Sequence, residues 1–582
     1  MAEASYDEAS RARYRARAQR AGGGGSGGSE RGLDIVFGIL GAVLCAVALR
    51  LFWLQVVQAR DLSAAAASAH TIYPTLHARR GTIYDRNGNV LAMSVDCSTI
   101  YCNPKDVHDP SGLARILAEV LGGTPKDYIG SLTADTTFVY IERQVDQDVA
   151  EELQARLLEE GITGIYYLDD TKRVYPYGDV GGQLIGLVNV DGEGTSGLEL
   201  YYNDVLSGVD GQMIMEIGKG GIPIAGGVSE VTEAVDGADI VISIDIDLQA
   251  KCEEEAAAAE ERYGSESASI MVTNPRTGEI YAACSTPLAT ITDRANLDPA
   301  SLNLRLVSDC YEPGSVFKVL TTSIGFDYGL FEPDTVYNVP PELLVGDDWV
   351  KEDTGRDYYV SWSVREILYN SSNPGSAMLG QDVIGAERFA LGMERFGIGT
   401  PTGIDYPGEV NGLVRTYEEY DGATCGAMSF GQAVAIPMVQ LVRAFGAVAN
   451  DGVLTTPHFA IMIGGEEVDW PAGGRAISVD ASNKETDIMR SVMELGTGQR
   501  GQVYGYDIAG KTGTGEQAGS GGGYADFNYV ASLCGFANAD DPDVLVYVGL
   551  NGTSYLAYAS AAEVFHNVMA EAVTDLSVPS IY

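Results

Sequence analysis

A long apolar stretch near the N-terminus most restricts how this chain can fold. Residues 35–57 carry one charge, Arg50, and are long enough to cross a bilayer core of about 30 Å. Six arginines lie within residues 1–31, so the positive-inside rule predicts a cytoplasmic N-terminus and an extracytoplasmic remainder. A cleaved signal peptide is the alternative, since Ala67-Ser-Ala69 resembles a cleavage site, but the stretch exceeds a signal core of about 7–15 residues. We therefore expect an uncleaved anchor with one membrane span.

Composition limits the classes of protein to which this chain belongs. At 582 residues it exceeds the size at which one hydrophobic core keeps growing, so we expect at least two folded domains. A net charge of -44 argues against a nucleic-acid partner, because phosphates would be repelled. The eight cysteines form no Cys-x-x-Cys pair, so we do not expect a dense disulfide scaffold. The sequence is compatible with a single disulfide. Cys310 is expected to be a small buried hydrophobe.

The pattern of apolar, polar and turn-forming residues changes near residue 236. We predict a basic tail with a Gly/Ser linker at 1–31, an anchor at 32–57, a first extracytoplasmic domain at 58–235 and a second domain at 236–582. The second domain has strand-like runs at both of its ends and helical patterns between them. This arrangement predicts one sheet built from both ends of the domain and covered by helices.

A glycine pattern in the first domain imitates a dinucleotide-binding site. Residues 184–190 look like a strand, and Gly192 to Gly197 form Gly-x-Gly-x-x-Gly. Glu216 follows Gly197 by 19 residues, close to the spacing of about 20 residues at which the dinucleotide-binding pattern has its acidic residue. The helix expected at 198–207 is too short for a crossover unit, and a nicotinamide cofactor is not expected outside the membrane. We interpret these glycines as turn residues.

Three short motifs in a fixed order indicate the chemistry. They are Ser315-Val-Phe-Lys318, Ser371-Ser-Asn373 and Lys511-Thr-Gly513. No other serine has a lysine three residues later, and the second Ser-x-Asn, Ser301-Leu-Asn303, precedes Ser315. Each motif alone is common at a helix start, a turn or a strand end. Together and in this order they are typical of serine acyltransferases that react with penicillin.

The first motif predicts a serine nucleophile with a lysine base. Glu312-Pro-Gly314 breaks the preceding structure, so Ser315 is expected at the start of a helix, with Lys318 on the same face. A serine hydroxyl needs a base beside it, and none of the five histidines is near Ser315 in sequence. A lysine can serve when burial and a second cation lower its pKa, and Lys511 is the natural second cation.

The other two motifs supply the remaining parts of such a site. Ser371 would relay a proton, and Asn373 would orient Lys318 and the substrate. Residues 511–514 are expected to form an edge strand, along which Gly513 leaves space for a peptide-like substrate. We predict that the hydroxyls of Thr512 and Thr514 bind a terminal carboxylate. The backbone N–H groups of Ser315 and Thr514 are candidates for an oxyanion hole.

With these motifs the chain resembles a class B penicillin-binding protein, and it is more similar to the cell-division (FtsI-type) subgroup than to the elongation subgroup. The resemblance extends from the anchor to the C-terminus. In the first half it rests on Leu49–Val57, Arg80–Gly88, Arg173–Pro176 and Gly197–Glu199 with Tyr202. In the second half it rests on Thr277–Ile280, Tyr311–Ser315, Phe396–Gly399, Thr402–Asp405, Pro407–Glu409, Ser429–Gln432 and Gly510–Thr514.

The resemblance implies a fold and a reaction. The fold would be an α+β pedestal (dimerisation-type) domain followed by an α/β transpeptidase domain, an antiparallel sheet covered by helices as in serine β-lactamases. Ser315 would attack the D-Ala-D-Ala end of a peptidoglycan stem peptide, release D-Ala and pass the acyl group to an amine of a neighbouring stem. β-Lactams would acylate Ser315. No metal or cofactor is implied.

The resemblance also implies partners. The absence of a glycosyltransferase-sized region before the pedestal implies a separate membrane glycosyltransferase that polymerises the lipid-linked precursor. Divisome proteins are expected as further partners.

The chain also departs from the family. The family often has Gly-x-x-x-Thr-Pro-x-Gln where residues 433–440 begin with Ala433, and Pro374 follows the second motif and should stiffen that loop. The glycine-rich run 515–523 predicts a mobile flap at the cleft.

Several alternatives share the three motifs. A β-lactamase would need a further carboxylate or a modified lysine that the sequence does not identify, and a β-lactam sensor would need more than one span. A divisome scaffold with an inert catalytic domain and a D,D-carboxypeptidase both stay open.

Overall fold

The computed structural model describes residues 29–60, 71–72, 75–217, 223–352, 355–518 and 524–581. The chain divides into two compact units. The first unit combines Met1–Leu76 with Gly211–Glu233, and the second combines His77–Asp210 with Ala234–Tyr582.

The first unit contains the predicted membrane span. A helix over Ser29–Phe52 continues as a π-helix over Trp53–Val57, and Leu33–Val57 has a mean hydropathy of 2.5 with none of it buried. This is the one helix in the described residues that is long and apolar enough to cross a membrane. The unit also contains a four-stranded sheet. Its strands are Thr71–Ile72, Thr75–Leu76, Gly211–Ile217 and Pro223–Thr232.

The second unit contains a seven-stranded sheet, which we call the pedestal sheet. It takes strands from both sides of the predicted boundary at residue 236. The strands are Ile83–Tyr84, Val90–Cys102, Val139–Asp146, Ile165–Val174, Ile240–Ile242, Ala460–Ile463 and Glu466–Glu467. The strands Ile83–Tyr84 and Ile240–Ile242 are parallel, and the other pairs are antiparallel.

Three helices pack on the strands Val90–Cys102, Val139–Asp146 and Ile165–Val174 of the pedestal sheet. They span Pro110–Val120, Pro125–Leu132 and Gln147–Glu160. The first begins where the Asp109 side chain accepts a hydrogen bond from the Gly112 N–H, and the third ends at Gly161, whose φ is +65°. Their apolar faces bury a small separate core with the sheet.

The glycine-rich segment of the first domain consists of turns and single helical turns. Short helices span Gly182–Ile185, Gly197–Tyr201 and Asn203–Leu206. The strand predicted at 184–190 is therefore wrong, because Gly181 and Gly186 both have positive φ and break extended structure. The turn interpretation of the glycines is confirmed, since the Gly192 N–H closes a turn on the Asn189 carbonyl at 3.1 Å and both Gly192 and Gly197 have positive φ.

The pedestal is held together by a buried charge cluster around Glu199. This fully buried carboxylate accepts a 2.6 Å hydrogen bond from the Nε of Arg80 and another of 2.6 Å from the Nε of Arg173. Both arginine side chains are also buried. Three of the family-like motifs of the first domain thus meet at this carboxylate.

A second, five-stranded antiparallel sheet forms the centre of the catalytic half, and we call it the central sheet. Its strands, in spatial order, are Ile280–Ser285, Ser267–Thr273, Val544–Thr553, Tyr524–Ala537 and Ile508–Ala518. The prediction of one sheet built from both ends of the domain is confirmed.

Helices cover both faces of the central sheet. Ile246–Tyr263 and Ala561–Asp575 pack on one face, and Lys318–Asp327, Met438–Ala449 and Val479–Leu495 pack on the other. Side chains alternate between the two cores, as expected for strands covered on both faces.

The remaining elements are short and surround the site. The helices are Arg305–Ser308, Val364–Tyr369, Asn373–Met378, Ala386–Arg395 and Thr424–Met428, with a π-helix at Leu379–Ile384. The short strands are Cys310–Tyr311, Val336–Val339, Glu342–Val345, Asp348–Lys351, Val360–Ser363 and Ile436–Pro437.

All eight cysteines lie in the described part of the chain, and each is a free thiol there. The expectation that Cys310 is buried is wrong. It belongs to the two-residue strand Cys310–Tyr311, in which successive side chains point to opposite sides. Tyr311 takes the inward position and bonds the Tyr547 hydroxyl at 2.7 Å, which leaves Cys310 exposed.

Candidate active site

Ser315 lies where the chain turns into a buried helix. Gly314–Phe317 form one turn of 3-10 helix, which leads directly into the α-helix Lys318–Asp327. The predicted position of Ser315 at a helix start is confirmed. Ser315 is 9% exposed, whereas Lys318 is fully buried.

A glycine brings the Ser315 turn close to the central sheet. Gly314 has a φ of +60°, and its N–H donates to the Gly431 carbonyl at 3.0 Å. A Cβ at this position would lie 2.7 Å from the carbonyl oxygen of Thr514. Only glycine therefore fits between the Ser315 turn and the strand that carries Thr514.

The second motif surrounds the amine of Lys318. The Nζ of Lys318 donates to the Ser371 carbonyl at 2.6 Å, to Asn373 Oδ1 at 2.6 Å and to Ser371 Oγ at 3.3 Å. The amide oxygen of Asn373 thus fixes the lysine head from one side and the Ser371 backbone fixes it from another. The structure brings the first two motifs into direct contact.

Lys511 reaches the same hydroxyl from the central sheet. Its Nζ donates to Ser371 Oγ at 3.1 Å and to the Thr512 carbonyl at 2.7 Å, and its side chain is fully buried. The hydroxyl of Ser371 therefore lies between two lysine amines. A hydroxyl has two acceptor lone pairs and one rotatable proton, so it can take bonds from both amines and still exchange a proton with either.

The backbone of the Ser371 loop is unusual. Ser371 has a φ of +57°, in the left-handed region that residues other than glycine rarely adopt. The next residue, Ser372, caps the helix Asn373–Met378 by accepting a hydrogen bond from the Gly375 N–H at 3.0 Å. Pro374 occupies the first turn of that helix, where its missing N–H costs nothing.

The third motif lies on the outermost described strand of the central sheet, Ile508–Ala518, as predicted. The Thr512 hydroxyl lies 3.5 Å from the Lys511 amine and is hydrogen-bonded to the Thr497 hydroxyl. The Thr514 hydroxyl accepts the Ala557 N–H at 3.4 Å.

Gly513 has a packing role besides the one that the sequence suggested. A Cβ there would meet Val316 Cγ1 at 2.8 Å and the Pro313 carbonyl at 3.0 Å. The close approach of the Ser315 turn thus requires a glycine. The prediction of a flap at 515–523 concerns a segment of which 519–523 lie outside the described residues, while 515–518 continue the strand.

Sequence reasoning missed several residues that support this site. Thr497 bonds Thr512, Glu312 accepts the Ala433 N–H at 2.9 Å, and Glu352 accepts the Ser372 hydroxyl at 2.5 Å. Thr497 stands in a glycine-flanked loop, and Glu352 precedes Ser372 by twenty residues. No local pattern marks Thr497 or Glu352, whereas Glu312 stands in the Glu-Pro-Gly run before Ser315, which the sequence analysis used only as the break before a helix.

Within the described ranges, no group of three or more His, Cys, Asp or Glu side chains could hold a metal ion. The polar groups at the site are instead two lysines, hydroxyls and one amide. Functional groups of these types can transfer protons and stabilise an oxyanion.

Two family models match the chain. The one described as the penicillin binding protein transpeptidase domain matches residues 268–570, and the one described as the penicillin-binding protein dimerisation domain matches residues 75–242. All three motifs lie inside the first match.

Curated relatives and solved structures agree with these matches. The chain is 30% identical to penicillin-binding protein PbpB of Mycolicibacterium smegmatis, over 92% of this chain and 89% of the relative. It is 27% identical to the peptidoglycan D,D-transpeptidase FtsI of Escherichia coli, over 93% of this chain and 91% of the relative. The chain is also similar to the crystal structure of penicillin-binding protein 3 from Mycobacterium tuberculosis with aztreonam, at 25% identity and a TM-score of 0.68. The match covers 87% of this chain and 98% of that one. This chain therefore belongs to the penicillin-binding proteins with a transpeptidase domain.

Proposed function

We propose that this protein is a peptidoglycan D,D-transpeptidase whose nucleophile is Ser315 and whose β-lactam target is the same hydroxyl. The observation that carries the proposal is the pair of lysine amines on Ser371 Oγ, 3.3 Å for Lys318 and 3.1 Å for Lys511, beside the buried Ser315 turn. A serine, a lysine base and a shared relay hydroxyl are the groups that acyl transfer needs.

In the acylation step Lys318 acts as a neutral amine, which keeps its two N–H donors for the Ser371 carbonyl and Asn373 Oδ1 and accepts the Ser315 proton on its lone pair. The freed oxygen attacks the carbonyl carbon of the penultimate D-Ala, and the backbone N–H groups of Ser315 and Thr514 stabilise the oxyanion. When the tetrahedral intermediate collapses, the bond to the terminal D-Ala nitrogen breaks. Ser371 passes the proton to that nitrogen, so free D-Ala leaves and an ester on Ser315 remains.

The second step transfers the acyl group to an amine. An amine of a neighbouring stem peptide attacks the ester carbonyl, and its proton returns through Ser371 and Lys318 to the Ser315 oxygen. One amide bond has been broken and one formed, and D-Ala is the by-product. A β-lactam enters the first step in the same way, but its ring-opened acyl group blocks the amine.

Recognition of the substrate end is assigned to the third motif. The Lys511 ammonium and the hydroxyls of Thr512 and Thr514 favour a terminal carboxylate through charge and hydrogen bonds. The buried position of Lys511 supports this assignment, because a charge shielded from water acts more strongly on a bound anion.

The cellular setting is part of the proposal. One span with arginines before it supports a cytoplasmic tail at 1–31, an anchor at 32–57, an extracytoplasmic pedestal at 58–235 and a catalytic domain at 236–582. The relationship to FtsI supports a role in septal wall synthesis, with a membrane glycosyltransferase and divisome proteins as partners.

The test uses the full-length protein in detergent with a fluorescent penicillin, followed by mapping of the labelled peptide. Stable label on Ser315 that Ser315→Ala abolishes is expected, together with D-Ala release and crosslinked product when a stem peptide and an amine acceptor are supplied. Absence of label and product would favour an inert scaffold. D-Ala release without crosslinking, or rapid loss of label, would favour a hydrolase.

A further inference from the structure

The middle residue of the second motif is tied to a distant carboxylate. Ser372 is fully buried between Ser371 and Asn373 in sequence, and its hydroxyl donates to Glu352 Oε1 at 2.5 Å. The same hydroxyl oxygen accepts the Gly375 N–H at 3.0 Å. One side chain thus connects the start of the Asn373 helix to the segment after the strand Asp348–Lys351.

The carboxylate of Glu352 is itself fixed. Arg356 Nη2 donates to Glu352 Oε1 at 2.8 Å, and both side chains are only 6% exposed. The guanidinium also donates to the Pro340 carbonyl at 2.8 Å and lies 5.0 Å above the Trp362 ring. Arg356 is therefore held by two neighbouring segments as well as by its ion pair, so it anchors Glu352 rigidly.

The loop that Glu352 touches needs such an anchor. Ser371 is in a left-handed backbone conformation, which persists only where the surroundings enforce it. Its carbonyl and hydroxyl, with Asn373 Oδ1, supply three hydrogen-bond acceptors to the Lys318 amine. Any relaxation of Ser371 toward ordinary backbone angles would move all three acceptors away from Lys318.

We propose that Glu352 and Arg356 are positioning residues, which act through Ser372 to hold Ser371 and Asn373 against Lys318. Neither side chain is assigned a contact with the substrate. The ion pair fixes the geometry in which the base and the relay hydroxyl meet, and this inference rests on the proposed function of those groups. Its loss should slow bond making without weakening the initial binding of a β-lactam.

The test separates the two effects by stopped-flow acylation of the full-length protein with a fluorescent penicillin. The dissociation constant of the first complex and the acylation rate constant are measured from pH 6 to 9. Glu352→Ala should lower the rate constant about 10²-fold, the usual consequence of misplacing a reacting group by about 1 Å, and shift its pH profile. The dissociation constant should stay within about threefold. Glu352→Gln keeps an acceptor for Ser372, so its acylation rate constant should be about tenfold higher than that of Glu352→Ala.

The matched control is Glu342→Ala. Glu342 pairs with Lys351 at 3.4 Å in the strand pair that ends just before Glu352, but both side chains are substantially exposed. Its acylation constants should equal those of the wild type. If Glu352→Ala does not fold, Ser372→Ala removes the same link while keeping the ion pair and should show the same selective loss of rate.

The outcomes are distinct. A lowered Tm with an unchanged rate constant and pH profile, in either Glu352→Ala or Ser372→Ala, would overturn the positioning role. So would a change confined to the dissociation constant. Failure of the wild type itself to be labelled on Ser315 would instead refute the proposed function, and with it the role assigned to Glu352.

Discussion

Tyr202 donates its phenolic hydroxyl to the carboxylate of Asp405 at 2.6 Å, across 203 residues of sequence. Asp405 is fully buried and also accepts the N–H groups of Phe459 at 2.7 Å and Ala460 at 2.8 Å. Burial raises the pKa of Asp405, while the Tyr202 hydroxyl and the two N–H groups act in the opposite direction. The bond joins a pedestal motif to a motif of the catalytic half, so the two halves share a polar contact in their common core.

Removing that hydroxyl should destabilise the protein. Tyr202→Phe leaves a buried carboxyl with one donor fewer, which typically costs about 1–3 kcal/mol. Tyr201→Phe is the control, because the Tyr201 side chain is 47% exposed. Thermal unfolding should show a lower Tm for Tyr202→Phe alone. Equal Tm values for the two variants would show that the contact contributes nothing to stability.

Ser371→Ala should disable acylation without unfolding the protein. The substitution removes a hydroxyl that both Lys318 and Lys511 contact, so proton transfer to the leaving nitrogen loses its relay. Loss of a positioned acid–base group typically costs about 10²–10⁴ in rate. The acylation rate constant with a fluorescent penicillin measures the loss. Ser361→Ala, at an exposed serine of a nearby strand, should acylate normally, and normal acylation of Ser371→Ala would contradict the relay.

The sequence predicts the central parts of the site because the residues that form them lie within short sequence motifs. Ser315 and Lys318 are three residues apart, and a helix start alone brings them together. The order of the motifs then predicts that Ser371-Ser-Asn373 and Lys511 lie next to Lys318. The hydrogen bonds of Ser371 to both lysines agree with this prediction. Glu352 and Thr497 could not be predicted, since nothing nearby in sequence distinguishes them from other glutamates and threonines of the chain.

The fold was predictable to a similar degree. Strands covered on both faces read as apolar runs, and the hairpin of Ser267–Thr273 with Ile280–Ser285 agrees with that pattern. The segment 184–190 reads the same way, but flanking glycines with positive φ turn its first residues into a helical turn. Periodicity alone does not separate a short strand from a buried helical turn.

Ala433 occupies a position where glycine should be better. Its φ is +58°, in the left-handed region that favours glycine. A left-handed conformation costs a residue with a Cβ about 1–2 kcal/mol, which exceeds the entropic advantage of alanine over glycine of about 0.4–1 kcal/mol. Ala433→Gly should therefore raise the Tm.

Ala435→Gly provides the matched control for Ala433→Gly. Ala435 has a negative φ and pairs with Leu413, so glycine there gains no relief and loses entropy. Its Tm should fall. A fall in both variants would mean that the left-handed backbone at Ala433 is not strained.

Glu253 makes the stability of the catalytic half depend on pH. It lies on the helix Ile246–Tyr263, where the Gly181 N–H at 3.0 Å and the Gln249 amide at 2.8 Å both donate to its Oε1. Burial raises its pKa from the usual 4.5 to about 7. Between these two values the folded protein keeps a proton that the unfolded chain releases, so stability falls as pH rises through that window and then levels off.

Glu253→Gln removes this dependence while keeping the acceptor oxygen. The variant should match the wild type near pH 4.5 and exceed it by about 3 kcal/mol at pH 8, since each pKa unit corresponds to about 1.4 kcal/mol. Denaturant unfolding at pH 5 and pH 8 measures the gap, and Glu254→Gln, at the exposed neighbour on the same helix, is the control. A gap of equal size at both pH values would mean that Glu253 keeps an ordinary pKa, because only a proton held by the folded state makes the gap grow with pH.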